Sequence, residues 1–129
     1  MKPIINRLIT GITLFVSCFI IASCGSTKEE QLIERGKEYI SRHISSPTFV
    51  STTPIDRTEA LLKEWGVNLE DKHDALMIGF EATNLYGGRV HKNWCIFFVN
   101  GYPIDHADGD NINRVNVHHY ISIMREKGW

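Results

Sequence analysis

The apolar positions of this chain fall into two regimes. From Leu8 to Ile21 almost every residue is apolar, with Lys2 and Arg7 ahead of the run and no charge inside it. A basic start followed by a short apolar stretch predicts a cleavable secretory leader rather than a structural element. A transmembrane span needs about 20 apolar residues, and this run is shorter and charged on one flank only.

Beyond the leader the apolar residues become periodic. Thr27-x-x-Glu30 has the spacing of a capping box, in which two side chains satisfy the first free amides of a helix. Leu32, Ile33, Gly36, Ile40 and Ile44 then recur at three- and four-residue intervals among charged residues, predicting an amphipathic helix of about 16 residues that ends at Ser45-Ser46-Pro47. Phe49 to Thr53 is aromatic and β-branched and predicts a short strand closed by Pro54. Thr58 to Trp65 carries Leu61, Leu62 and Trp65 on one helical face, with Gly66 placed to end that helix.

Val67 to Asp74 is polar and turn-like, after which Ala75 to Thr83 predicts a strand buried over most of its length, with Gly79 marking a bulge or a close approach. Arg89 to Asn100 predicts a second long strand. Asn100-Gly101 is a strong two-residue hairpin signal leading into a strand from Tyr102 to Asp105. Asn116 is placed to cap a last helix with Val117, Tyr120, Ile121 and Met124 on one face and Gly128 at its end. Helices at both ends and strands between them predict an α+β domain, an antiparallel sheet covered by helix on one face. The expected organisation is a leader over residues 1–23, a tether over 24–27 and one domain over 28–129, with no internal repeat or low-complexity stretch.

Composition narrows the function. Of 14 Lys and Arg residues two lie in the leader, whereas all 15 acidic residues follow it, so the remainder carries a net charge of −3. With no basic stripe, nucleic acid is not an expected partner. Of three cysteines, Cys18 falls in the leader, Cys24 at its end and Cys95 inside the apolar run Trp94 to Val99. That distribution excludes a disulfide scaffold and predicts Cys95 to be a buried hydrophobe.

Ile21-Ala22-Ser23-Cys24 resembles the lipobox of bacterial lipoproteins: an aliphatic residue, two small residues and a cysteine directly after the apolar run. The resemblance implies cleavage before Cys24, a diacylglycerol on its thiol and acylation of the new amino terminus. Two or three acyl chains hold a protein at a bilayer durably where one does not. A soluble secreted protein with an ordinary cleavage site is the alternative. Gly25, rather than aspartate, after Cys24 implies the outer membrane in other lipoproteins. Lys28-Glu29-Glu30 resembles charged signals that send some lipoproteins to the outer cell face, and equally suits the first turn of a helix, where acids complement the positive end of the dipole.

Pro47-Thr48-Phe49 after a helix, with Ala82-Thr83-Asn84-Leu85-Tyr86-Gly87-Gly88 later, is similar to a loose group of small secreted bacterial domains of unknown function, and implies a fold more than an activity. Asn84, Tyr86, Gly87 and Gly88 form the candidate recognition loop. The paired glycines permit positive φ and expose Tyr86 as an amphipathic contact, to be joined by Trp94 or Trp129.

Motifs for chemistry are sparse. No phosphate-binding glycine loop and no Gly-x-Ser-x-Gly elbow occurs. Asp105 to Asn111 has the acidity of a calcium loop but not its ligand spacing, and reads as a polar connection from hairpin to helix. His118 and His119 diverge on a helix, and His43, His73, His91 and His106 would have to converge in space to hold zinc. Glu81, the one acid inside an apolar strand, is expected to face solvent. No metal, cofactor or catalytic set is therefore expected. The reading that results is a non-enzymatic envelope lipoprotein binding a protein, peptide or glycan. Its alternatives are an inhibitor or immunity-type protein, and a periplasmic enzyme or metal-dependent factor using Glu81 or the histidines.

Overall fold

The computed structural model describes residues 27–129, so the leader and Cys24 lie outside the described residues. The capping box at Thr27 is formed. Thr27 Oγ1 accepts from the Glu30 amide at 3.1 Å, while the Glu30 carboxylate accepts from the Thr27 amide at 3.3 Å. Helix α1 then spans Lys28–His43 and buries Leu32, Gly36, Tyr39 and Ile40. Strand β1 spans Thr48–Thr53, helix α2 Ile55–Glu64, strands β2, β3 and β4 His73–Thr83, Arg89–Val99 and Tyr102–Asp108, and helix α3 Arg114–Glu126. The strands form one antiparallel sheet in the order β1-β2-β3-β4, so the class is α+β.

Local chemistry fixes the turns. Asn100 and Gly101 have φ of 51° and 81°, the left-handed pair that a two-residue hairpin between β3 and β4 requires. Gly66, at φ 82°, ends α2 in a Schellman arrangement: its amide donates to Lys63 O and that of Val67 to Leu62 O. The same geometry at Gly128 lets the Trp129 amide reach Met124 O at 3.0 Å and turns the Trp129 ring back onto the core. Gly79 answers to close approach. A Cβ there would lie 2.5 Å from Ser51 Oγ and 2.7 Å from Asn93 Oδ1, next to the irregularity between Phe49 and Ser51 in β1.

Three expectations need correction. The sheet is covered by helix on both faces, not one. Leu76, Ile78, Phe80, Trp94, Ile96 and Phe98 pack with α1 on one side, and Ala75, Cys95, Phe97 and Ala107 pack with α2 and α3 on the other. Uninterrupted apolar runs at Ala75 to Ile78 and Trp94 to Val99 fill both parities of the strand, which is the signature of two-sided burial. The cap of α3 is Asn113, whose Oδ1 accepts from the Val115 and Asn116 amides. Asn116 instead takes the third helical position and accepts from the Asn113 amide at 2.7 Å, as glutamate does in the usual box. Finally, α2 starts at Ile55, straight after Pro54, with the Glu29 carboxylate of α1 accepting from the Ile55 amide at 3.3 Å.

Helix α1 runs in the same direction as β2. Lys28 pairs with Asp74 at 2.9 Å, Gly36 sits over Ile78, and His43 shares a groove with Ala82 and Thr83. The start of α1 and the β2–β3 loop are therefore at opposite ends of the sheet, about 26 Å apart along β2 at about 3.3 Å per residue.

Candidate functional site

The β2–β3 loop is built around Asn84. Its side-chain Oδ1 accepts from the Tyr86 amide at 2.9 Å and the Gly88 amide at 3.0 Å, its own amide donates to Gly88 O at 2.8 Å, and its carbonyl accepts from Gly87 at 3.1 Å. Four hydrogen bonds on one residue hold the loop in one shape, an Asx turn extended into a closed hairpin end. Gly87 takes φ 81°, the left-handed conformation that other residues adopt at a cost. Gly88 has an ordinary φ, and a Cβ there would meet the Asn84 side chain at 3.5 Å, an unstrained contact.

The loop's rigidity presents two side chains. Tyr86 is 95% exposed, and Leu85 beside it is fully exposed. Sequence reasoning singled out Tyr86 and passed over Leu85, although an aliphatic residue at a hairpin tip is itself a signal because it gains nothing from water. The expected company of Trp94 and Trp129 is not found. Both are 9% exposed, Trp129 with its indole N–H donating to Phe98 O at 2.9 Å and Trp94 stacked on His106 at 3.7 Å between ring centroids.

Leu85 also borders a groove of about 420 Å³ between the end of α1 and the sheet, lined with it by His43, Ile44, Ala82, Asn84 and Val90. Apolar surface predominates there, and Lys92 and Ser45 add polar groups to the lining. Its helix-side wall is stiff. His43 Nδ1 donates to Tyr39 O at 2.8 Å. The His43 ring packs on Tyr39 at 4.2 Å and on His106 at 5.8 Å.

Tyr39 Oη lies 2.8 Å from His106 Nδ1. Burial first, then the Asp105 carboxylate, push the phenol up to about 12, so it stays protonated and donates to the neutral imidazole. Burial also lowers the pKa of His106, against the opposing pull of Asp105. Burial works to raise the Asp105 carboxyl, but the Lys127 ammonium and the His106 amide outweigh it and hold the group below the usual carboxylate range. Together these contacts fasten α1 to β4 and to the end of α3.

The remaining candidates are dispersed. Of the four histidines considered for zinc, only His43 and His106 come together, while His73 stacks on Trp129 and His91 is exposed on β3. Among the described residues no three histidine, cysteine, aspartate or glutamate side chains are grouped to hold a metal ion. Asp105 to Asp108 belongs to strand β4 rather than to a loop, and the turn after it is closed on itself. Asp108 accepts from the Asp110 amide and the Asn111 side chain, and Asp110 from Asn93. Glu81 is half-exposed opposite His91, at the end of the sheet face beyond α2 and α3.

Cys95 is completely buried, and burial pushes its thiol up to about 12, which removes the thiolate a nucleophile needs. No helix among the described residues is long and apolar enough to cross a membrane. No known protein family, curated protein or solved structure matches this chain.

Proposed function

We propose that this chain is a lipoprotein of the bacterial cell envelope, anchored in the outer membrane by acyl groups on Cys24, whose folded part is a non-enzymatic binding module. The partner is an envelope protein or peptide, engaged through Leu85, Tyr86 and the groove beside them. The observation that carries the reading is the opposition of the two ends. Cys24 precedes Lys28 by only four residues, Lys28 stands at the Asp74 end of β2, and the one loop among the described residues that carries two adjacent, exposed large apolar side chains stands at the other.

A tether that short leaves the anchored end close to the lipid, and the length of β2 carries the loop outward. A fully exposed leucine beside a tyrosine and an apolar groove is the composition of a protein contact, where aromatic and aliphatic anchors supply most of the affinity. A glycan is the poorer match, since nothing aromatic joins Tyr86 to form a stacking platform. The same stiff protrusion suits the wedge of an inhibitor or immunity-type protein, and the identity of the partner separates that role from a scaffolding one.

Photo-crosslinking in intact cells tests the reading. A crosslinking residue at position 85 or 86 is expected to capture one discrete partner. The same residue at Val115, equally exposed but on α3, is expected to capture none, and Leu85→Ser with Tyr86→Ser is expected to abolish co-purification of that partner without altering the melting temperature. Equal capture from Val115, or co-purification that survives the double substitution, would contradict it.

A further inference from the structure

The lining of the groove beside Leu85 specifies the chemistry of what fills it. Ile44, Ala82, Leu85 and Val90 give apolar walls around a volume of about 420 Å³. Lys92 is the one lysine or arginine in that lining, and neither aspartate nor glutamate belongs to it.

Register puts the ammonium there and keeps acids away. Lys92 pairs with Phe80 across the β2–β3 ladder and stands two residues before Trp94, so it shares the sheet face that α1 covers further along. It is exposed because α1 has already ended at His43. Alternation along β2 sends the neighbouring acid, Glu81, to the other face, opposite His91. The last acid of α1, Glu38, is engaged by Arg42 at 2.5 Å. On β4, Asp108 stands across from Trp94 and is taken up by the Asp110 amide and the Asn111 side chain. Lys92 accordingly takes part in no ion pair among the described residues.

Beyond the leader the chain carries a net charge of −3, yet this groove combines apolar walls with an uncompensated positive charge. A partner carboxylate gains from Lys92 and meets no acid in the lining, whereas a basic partner is repelled. Given that the groove is part of the partner contact, as proposed above, we infer that it takes a short acidic segment of that partner, with an aliphatic side chain against Ile44, Ala82 and Val90 and a neighbouring carboxylate on Lys92.

The test is a titration of the native protein, methyl-labelled at alanine and valine and held in lipid nanodiscs, read at the Ala82 and Val90 methyls. The probes are the blocked tripeptides acetyl-Leu-Asp-Leu-amide and its Asn and Lys counterparts. Saturable shifts are expected with the Asp peptide, about threefold weaker binding with the Asn peptide, the worth of a partly exposed ion pair, and none with the Lys peptide. Lys92→Gln is expected to reduce the Asp peptide to the affinity of the Asn peptide, and Lys92→Arg to preserve it. Added salt is expected to narrow the gap between the Asp and Asn peptides. Lys92 is exposed, so neither substitution disturbs the core. No saturation with the Asp peptide, equal binding of the Asp and Asn peptides, or undiminished binding in Lys92→Gln would overturn the assignment. Capture of a partner from positions 85 and 86 alongside such a result would leave the binding module standing and remove only its preference for acid. A preference for the Asp peptide with no partner captured would uphold the chemistry of the groove and contradict the reading of the loop.

Discussion

The Lys28 ammonium lies 2.9 Å from the Asp74 carboxylate, and this contact sets the first turn of α1 over the first turn of the sheet. Asp74 is 7% exposed, whereas Lys28 is largely in solvent, so the pair straddles the boundary of the core. Lys28→Ala removes the charged partner of a buried carboxylate. The expected loss is about 1 kcal/mol, near the upper end for a partly exposed pair. Urea unfolding of Lys28→Ala, Asp74→Asn and the double variant measures the coupling directly, and strictly additive losses would show that the pair contributes nothing of its own.

Gly36 is where α1 touches the sheet most closely. A Cβ at that position would stand 2.6 Å from Ile78 Cδ1 and 3.5 Å from Phe98 Cζ. Alanine normally gains about 1 kcal/mol over glycine in a helix interior, but overpacking a dense core costs about 1–3 kcal/mol. Gly36→Ala is expected to destabilise the protein by about 1 kcal/mol net. Shortening the obstructing side chain with Ile78→Val in the same molecule is expected to recover most of that loss, which chemical denaturation of the single and double variants will measure.

Stability should fall as the solution is acidified, in two stages. His73 and His106 both have pKa values lowered by burial, so below about 6.5 the unfolded chain binds protons that the folded one resists. Their contribution is complete above that value and is lost as pH falls below it through the lowered folded-state values. Asp105 acts lower. Its carboxyl is held below the ordinary range, so its contribution is complete above about 4 and disappears beneath it. Melting temperatures measured from pH 8 to pH 3 are expected to show both declines, and His106→Gln to shrink the upper one.

How much of this was legible in the sequence follows the range of the interactions. Thr27 with Glu30, and Asn100 with Gly101, act within three residues and are readable as local chemistry. Asn113 and Asn116 act over the same distance but escaped, because an asparagine standing where the capping box usually has Glu or Gln disguises the motif. The two-sided burial of the sheet was present in the apolar runs of β2 and β3, and was missed because an antiparallel sheet so often leaves one face wet. The groove could not be read at all. It joins His43 and Ile44 to Ala82 and Val90, and its wall depends on Tyr39 meeting His106, 67 residues away. The buried Nε2 of His73, which has no hydrogen-bond partner among the described residues, likewise emerges only when the ring stacks on Trp129, 56 residues away.

The proposed binding module, held to a membrane by Cys24 with the Asn84 to Gly88 loop directed outward, depends first on its anchor. The intact mass and cell fraction of the native protein, beside those of Cys24→Ala, test the anchor directly. A mature chain beginning at Cys24, carrying acyl mass and confined to the outer membrane, is expected, with both properties lost in the variant. An unmodified chain in the soluble fraction, unchanged by Cys24→Ala, would contradict it.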